Sequence, residues 1–318
     1  MQKASNKIVS VIVVTCGVKD YLNSCLDSLK KQTYSRLDII VIDNSLKQDF
    51  RLQINKYYPE IKLYSSLNNL FYCQALNKGI EMSDGDFILC LNDDVILDDR
   101  FTEESLRGFC IDEKIGIVSG KILRHDGQTI DSTGLFLTSW RTVNERGYGL
   151  KDIGQFEKEE YIFGVNGAVA FYRREMLESI KLDSDYFDAD YHIFYEDLDI
   201  AWRAQNAGWK GYYIPLAIAY HARGGTVRAK NGIGKSYARK YLNDNLNLAL
   251  LKNRYLTIIK NDSFLSFLVH LPSIFCYELL VWAYVLLYRP QLIKNFILNI
   301  RYLKSALNKR RLIRLSRR

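Results

Sequence analysis

Asp86-Phe87-Ile88-Leu89-Cys90-Leu91-Asn92-Asp93-Asp94 is an apolar run closed by an acidic triplet. A run this short and this apolar reads as a strand buried on both faces. Two earlier stretches have the same form. Ile8-Val9-Ser10-Val11-Ile12-Val13-Val14 ends at Thr15, and Asp38-Ile39-Ile40-Val41-Ile42 ends at Asp43. Lys62-Leu63-Tyr64 is a weaker third strand after them. The intervening segments read as helices. Tyr21, Leu22, Cys25, Leu26 and Leu29 recur at helical spacing behind Asp20, a candidate cap, and Asn69 to Met82 is a second helix. Alternation of strand and helix predicts an α/β fold with a mostly parallel sheet flanked by helices. Ligands of such sheets bind at the carboxyl ends of the strands, where Thr15, Asp43 and Asn92 to Asp94 all fall.

Further along the pattern changes. Ile115 to Arg174 is strand-like and broken by glycines. Tyr186 to Tyr195 is acidic and aromatic and leads into a helix from Glu196 to Ala207. Lys210 to Pro215 is a short strand, with His221 beyond it. Arg223 to Lys235 holds four glycines and several cations and reads as a mobile loop or lid. Phe264 to Tyr288 is mostly apolar and long enough to cross a bilayer, but His270, Pro272 and Glu278 interrupt it. Gln291 to Asn308 is amphipathic, with Leu292, Ile293, Phe296, Ile297, Ile300, Leu303 and Leu307 on one face and Lys294, Arg301 and Lys304 opposite.

Charge divides the chain in the same place. The 318 residues carry a net charge of +8, yet from Leu251 to Arg318 thirteen Lys and Arg face two acids. The rest holds thirty-one basic and thirty-four acidic residues. A basic excess confined to apolar helices fits an anionic membrane surface, and nucleic acid is not expected as a partner. The expected division is therefore a catalytic domain over 1–240 and a helical, basic, membrane-associating region over 241–318. A soluble helical subdomain packed on the enzyme is the alternative. The six cysteines form no CxxC pair and read as small, reduced core residues of a reducing compartment. Ile8 to Val14 is too short for the apolar region of a signal peptide.

Three clusters carry chemistry. Asn92-Asp93-Asp94 offers carboxylate oxygen to a hard divalent cation, Mn²⁺ or Mg²⁺, that can neutralise a leaving nucleotide diphosphate. A polar turn before the next helix is the bland reading. Glu196, Asp197 and Asp199 follow Asp188 and Asp190 among aromatics, a setting that raises a carboxylate toward the pKa of a useful base, although one acid there can be a simple cap. His221 is a lone imidazole, structural by itself and a metal ligand beside Asp94.

The segments "VSVIVVTCG", "IIVIDNS", "NNLFYCQALNKGI", "GDFILCLNDDV", "GVNGAVAFYRREM", "FDADYHIFYEDLDIAWRAQNAGW" and "YHARGGT" resemble, in this order, the family-2 glycosyltransferases and most of all their rhamnosyltransferase-like branch, bacterial enzymes of surface polysaccharides. The resemblance covers Ile8 to about Thr226. It implies a GT-A fold (Rossmann-like), a nucleotide-sugar donor such as dTDP-rhamnose or a UDP-sugar, a divalent cation, and inversion at the anomeric carbon. It implies an acceptor that is lipid-linked or a growing glycan, met at the cytoplasmic face of the membrane. By position, Thr15, Asp43, Asn92 and Asp93 would bind the donor, Asp94 and His221 the metal, Glu196 the acceptor, and Asp197 would be the general base. Arg173 or Arg174 would meet phosphate or stay at the surface. Asn92 stands where the family has its first metal-motif Asp, Gly17 where it has Asn, and Phe71 and Ala75 where it has glycines. The Gln-x-x-Arg-Trp signature of processive synthases is absent, and Arg203-Ala204-Gln205-Asn206 does not match it, so single additions are expected. The competing readings are a nucleotidyltransferase and a catalytically inactive nucleotide-sugar-binding protein.

Overall fold

In the computed structural model, residues 7–223 and 238–315 are described. The elements run β1 (Val9–Thr15), α1 (Lys19–Lys30), β2 (Leu37–Asp43), α2 (Gln48–Tyr57), β3 (Lys62–Ser65), α3 (Phe71–Glu81), β4 (Phe87–Asn92), β5 (Val95–Leu97), α4 (Phe101–Gly108) and β6 (Ile115–Arg124). Then follow β7 (Ile130–Ser132), β8 (Leu135–Leu137), β9 (Val143–Glu145), β10 (Glu160–Ile162), β11 (Val169–Arg173), α5 (Arg174–Ser179), α6 (Glu196–Asn206) and β12 (Lys210–His221). The helices α7 (Asp244–Asn261), α8 (Phe264–Tyr288), α9 (Gln291–Leu298) and α10 (Arg301–Leu315) close the described chain.

The main sheet has the order β10-β12-β6-β11-β4-β1-β2-β3. β1 to β4 are parallel, β11 is antiparallel to both β4 and β6, and β12 is parallel to β6. β1 shows why the sheet lies between two helical layers. Successive side chains alternate faces, so Val9, Val11 and Val13 enter one core with Leu22, Cys25 and Leu26 of α1. Ile12 and Val14 enter the other with Leu76 and Ile80 of α3. A Cβ at Gly79 would sit 2.4 Å from Ile12 Cγ2, so the glycine is what lets α3 close on β1.

Several expectations need correction. Asp20 is not the cap of α1: the helix starts two residues earlier, at Lys19, and its N-cap, Val18, makes no side-chain bond, leaving Asp20 as a first-turn acid. The strand expected to stop at Pro215 runs on to His221. Its register slips between Ile214 and Ile218, which accommodates the proline's missing N–H. The amphipathic stretch after Gln291 is two helices, and its apolar face is divided. Leu292 is buried, whereas Ile297, Ile300 and Leu307 are exposed. Cys25, Cys73 and Cys90 are core residues as expected, but Cys16, Cys110 and Cys276 are exposed. Beyond Arg223, the expected lid lies largely outside the described residues.

The C-terminal helices grip the body of the protein. Leu256 of α7 and Ala306 of α10 join the core that contains α3 and α6. Lys252, Arg254 and Lys260 of the basic excess are buried here, and Lys309 turns inward to Asp188 and Asp190. α8 is different. Only Ile274, Val281 and Val285 of its 25 residues are buried. It is long and apolar enough to cross a membrane, by length and composition. The polar interruptions face the enzyme: Glu278 accepts from Arg254 Nε at 2.6 Å, and His270 Nδ1 lies 3.0 Å from Arg141 Nη2. The outward face carries Leu265, Val269, Phe275, Leu279, Leu280 and Leu287, all exposed.

Candidate functional site

The parallel strands deliver Thr15, Asp43, Asn92 and His221 to one end of the sheet, each as the last residue of its strand. Thr15 is buried, and its hydroxyl donates to Asp93 Oδ2 at 2.6 Å. Burial, then the charge of Asp94, pushes Asp93 up to about 6 against the pull of that hydrogen bond. Thr15 Oγ1 also accepts the N–H of Gly17, whose φ is +82°. A Cβ there would meet Ser45 Cβ at 2.5 Å. The glycine thus lets the turn after β1 pass close over the turn after β2. Asp43 is buried and accepts the N–H of Ser45 at 2.8 Å, and Asn92 donates its backbone N–H to Ala168 O.

Asp94 and His221 meet because β5 lies antiparallel to β12, pairing Val95 with His221. His221 Nε2 is 3.3 Å from Asp94 Oδ1, and its Nδ1 is 2.8 Å from Asp131 Oδ2. Burial alone would depress the imidazole, but the hydrogen bonds to Asp131 and Asp94 outweigh it and hold the ring up to about 9. Asp131 was not anticipated from the sequence. It is fully buried on β7 and also binds Arg223, whose Nη2 reaches Glu145 Oε2 at 2.8 Å. The only signal for it is an acid within a short uncharged run, Thr129 to Thr133.

The second half of the site is the start of α6. Asp197 Oδ1 accepts the N–H of Leu198 at 2.7 Å and Oδ2 that of Gly167 at 3.3 Å. A Cβ at Gly167 would meet Glu196 Oε1 at 3.2 Å and Asp197 Cβ at 3.5 Å, so a glycine gives both acids room. Glu196 is buried, and its Oε2 has no hydrogen-bond partner among the described residues. Burial first, then the charge of Asp197, lifts Glu196 to about 8. Burial also lifts Asp197 to about 6, against its two backbone hydrogen bonds and with the charge of Glu145 adding to the rise. The pair therefore holds one proton between about 6 and about 8, mainly on Glu196. The backbone leading into α6 is strained: His192, Phe194 and Tyr195 have φ of 61°, 68° and 68°. Left-handed geometry costs a residue with a Cβ about 1–2 kcal/mol.

Other expected residues fall elsewhere. Arg173 and Arg174 lie at the opposite end of the sheet, because β11 runs against β4. Their guanidinium groups donate to the carbonyls of Ile115 and Phe109, and of Gly85 and Ser83, and do not reach the site. Phe71 takes φ of +54° where a glycine would be unstrained, and its ring stacks on His192 with centroids 4.5 Å apart. Ala75 is wholly buried in α3.

Residues 10–181 match the family model described as Glycosyl transferase family 2. The chain belongs to glycosyl transferase family 2. The match stops before Glu196, Asp197 and His221. A poly-beta-1,6-N-acetyl-D-glucosamine synthase of Staphylococcus aureus (strain MSSA476) is 21% identical over 217 residues, 67% of this chain and 49% of its own. The chain thus spans about half the length of that relative. The amylovoran biosynthesis glycosyltransferase AmsB of Erwinia amylovora is 25% identical over 225 residues, 67% of this chain and 69% of that protein. Two solved structures share the fold. Mannosyltransferase PcManGT from Pyrobaculum calidifontis, in complex with GDP-Man and Mn²⁺, has a TM-score of 0.55 at 15% identity and covers 97% of this chain and 79% of its own. GalNAc-T7 with UDP, GalNAc and Mn²⁺ has a TM-score of 0.58 at 15% identity, covering 80% and 48%. The GT-A fold implied by the sequence motifs is the fold of this family 2 glycosyltransferase.

Proposed function

We propose that this family 2 glycosyltransferase is an inverting, metal-dependent enzyme of cell-surface glycan synthesis. It moves one sugar at a time from a nucleotide-diphosphate donor to a lipid-linked or polysaccharide acceptor. The observation that carries the reading is the pairing of two half-sites. A buried acid, Asp197, oriented by the N–H groups of Leu198 and Gly167, stands at the start of α6. The Asp94–His221 pair stands at the strand ends.

The residues fit a divalent cation in part. Asp94 supplies oxygen and His221 nitrogen, with a buried carboxylate on the far ring nitrogen, as metal-bound imidazoles usually have. Among the described residues no group of three His, Cys, Asp or Glu side chains is arranged to hold a metal ion, so the donor's phosphates and water would fill the remaining positions. A cation at Asp94 and His221 would neutralise the leaving diphosphate. Because His221 carries a proton up to about 9, binding there displaces that proton and tightens as pH rises. Thr15, Asp43, Asn92 and Asp93 face the nucleoside and ribose. Asp197 takes the proton from the acceptor hydroxyl as its oxygen attacks, and Glu196, protonated, donates to the acceptor. Single addition is supported by Arg203, which is not free to serve a synthase signature. It is buried, ion-paired with Asp199 at 3.0 Å, and donates to the carbonyls of Ile180 and Tyr186.

A panel of UDP-, dTDP- (including dTDP-rhamnose) and GDP-sugars, followed for donor hydrolysis with Mn²⁺ or Mg²⁺, tests the reading. Turnover of one donor is expected. Metal-dependent nucleotide binding with no turnover anywhere would leave an inactive binding protein. Asp131→Asn is expected to weaken Mn²⁺-dependent binding of the nucleoside diphosphate by about 10–100-fold, read by titration calorimetry. An unchanged affinity would remove His221 from the metal shell.

We also place residues 241–318 at the cytoplasmic face of the membrane, with 1–240 as the catalytic domain. The exposed apolar face of α8 supports this, together with Lys294, Arg301 and Lys304 on the exposed surface of α9 and α10. The protein should float with vesicles of phosphatidylglycerol and phosphatidylcholine. Replacing those three cations by Ala should lower the vesicle partition coefficient by about 10²-fold at low salt, at roughly 1 kcal/mol for each charge removed. Equal flotation of the variant would argue against electrostatic attachment.

A further inference from the structure

The segment that delivers Glu196 and Asp197 cannot hold its own shape. Three of the four residues from 192 to 195 have positive φ, and none is glycine. Such a conformation persists only where surrounding groups over-determine it. Tyr195, the N-cap of α6, makes no side-chain capping bond. The carbonyls of Tyr191, His192 and Tyr195 accept the backbone N–H groups of Ile193, Tyr72 and Asp199 at 2.7, 3.1 and 2.8 Å. What reaches those of Ile193 and Phe194, and shares that of Tyr191, is one side chain from another part of the chain. Asn253, wholly buried on α7, places its Nδ2 at 3.0, 2.7 and 2.8 Å from the carbonyl oxygens of Tyr191, Ile193 and Phe194. Two amide hydrogens are thus shared among three acceptors, two of them flanking His192 and the third on Phe194. Neighbouring groups reinforce the contact: Lys252 Nζ bonds Asp190 O, and Tyr191 OH bonds Thr257 Oγ1 at 2.8 Å.

We infer that Asn253 is a positioning residue for the general base, fixing the 191–195 backbone so that α6 starts with Asp197 facing the acceptor. The inference rests on Asp197 being that base. It assigns to a helix outside the matched family region a part in the reaction, carried by one amide. The side chain is wholly buried and its amide bonds backbone carbonyls, so it acts through the geometry of the segment. A displacement of about 1 Å at a reacting group can cost about 10²-fold in rate.

The same helix provides a matched control. Asn247 is also wholly buried, and its Nδ2 also gathers three carbonyls, those of Arg239, Leu242 and Asn243. In both residues Oδ1 accepts no hydrogen bond among the described residues. Asn247→Ala therefore removes the same kind of buried amide about 1.7 turns away, without touching the 191–195 segment. Three measurements distinguish the two variants, using the UDP-, dTDP- or GDP-sugar that the wild-type protein hydrolyses fastest with Mn²⁺. Asn253→Ala is expected to lower kcat by about 10²-fold, with donor KM and Mn²⁺-dependent binding of the matching nucleoside diphosphate nearly unchanged. Asn247→Ala is expected to lose comparable thermal stability but keep kcat within about threefold. Amide hydrogen exchange should accelerate over residues 191–199 in the first variant only. Asn253→Ser, which retains one hydroxyl donor, should fall between Asn253→Ala and wild type, and it serves alone if the alanine variant does not fold.

Equal kcat losses in the two alanine variants, wild-type kcat in Asn253→Ala, or, where only serine folds, wild-type kcat and exchange in Asn253→Ser would overturn the inference. Asp197→Asn, assayed alongside, separates this from the reading beneath it. Turnover by Asp197→Asn would remove the base itself. A dead Asp197→Asn beside a fully active Asn253→Ala would remove only the positioning role.

Discussion

Asp197→Asn is expected to lower sugar transfer by about 10²–10⁴-fold, the usual contribution of a general base, while Mn²⁺-dependent nucleotide binding stays within about threefold of wild type. The reason lies in what the carboxylate does at the start of α6. Its oxygens accept the N–H groups of Leu198 and Gly167, which fix its orientation, and an amide oxygen can accept one of these in its place. Asn therefore preserves much of the local structure and removes the basic oxygen. The pH profile supplies a second readout. With Asp197 raised to about 6, wild-type kcat/KM should climb as pH rises through 6, because the base works only after its proton has left. Residual activity of Asp197→Asn should lack that limb. If the variant keeps both its rate and the limb near 6, another group is the base. If donor affinity collapses while kcat holds, Asp197 belongs with the metal and the donor.

The strand ends were legible because a parallel sheet forces them together. Once Ile8 to Val14, Asp38 to Ile42 and Asp86 to Leu91 were read as buried strands, Thr15, Asp43 and Asn92 to Asp94 had to share an end. Asp131 was not legible. Its partner His221 is 90 residues away, and the contact depends on a three-residue strand, β7, folding back on β6. The register that sets this pairing, Ile122 with Ser132 and Leu123 with Ile130, leaves no periodic trace in so short a run. Asn253 was hidden for a different reason. A helix announces its buried face by contrast with a polar one, and α7 has almost none. Asn247, Lys252, Asn253, Arg254, Lys260 and Asn261 are all buried beside Leu251 and Leu256. The same fact revises the charge argument. Lys252, Arg254, Lys260 and Lys309 were counted toward a basic membrane-facing tail, yet their cationic groups bond Asp190, Glu278, Asp188 and the carbonyls around them. A sum over the sequence cannot tell a cation facing lipid from one that holds a helix in place.

Lys260→Ala should therefore destabilise the protein far more than loss of a surface cation would, by about 3–5 kcal/mol, because it strands buried carboxylates. Lys260 is wholly buried, with its ammonium between Asp188 and Asp199, 2.9 Å from the latter. Burial would raise both acids. At Asp188 the charges of Lys260 and Lys309 outweigh it, and at Asp199 those of Lys260 and Arg203 do. Both carboxyls are thus held below the usual range of about 4. A depressed native pKa contributes stability that is present above the unfolded value and lost as pH falls through the native one. Wild type should accordingly lose stability on acidification from about pH 4 downward. In Lys260→Ala, Lys309 and Arg203 each retain one carboxylate, but no cation bridges the two acids. Their mutual repulsion then grows as they ionise, so stability should improve on lowering the pH from 7 toward 5, a range over which the same acids, ionised throughout, give wild type no pH dependence. Urea unfolding of both proteins at pH 5 and 7 reads this directly. A loss below about 1 kcal/mol, or parallel pH dependences, would show that Lys309 and Arg203 suffice. The outcome also bears on catalysis, since Asp199 lies two residues beyond Asp197 on α6, and the ammonium that anchors it comes from α7.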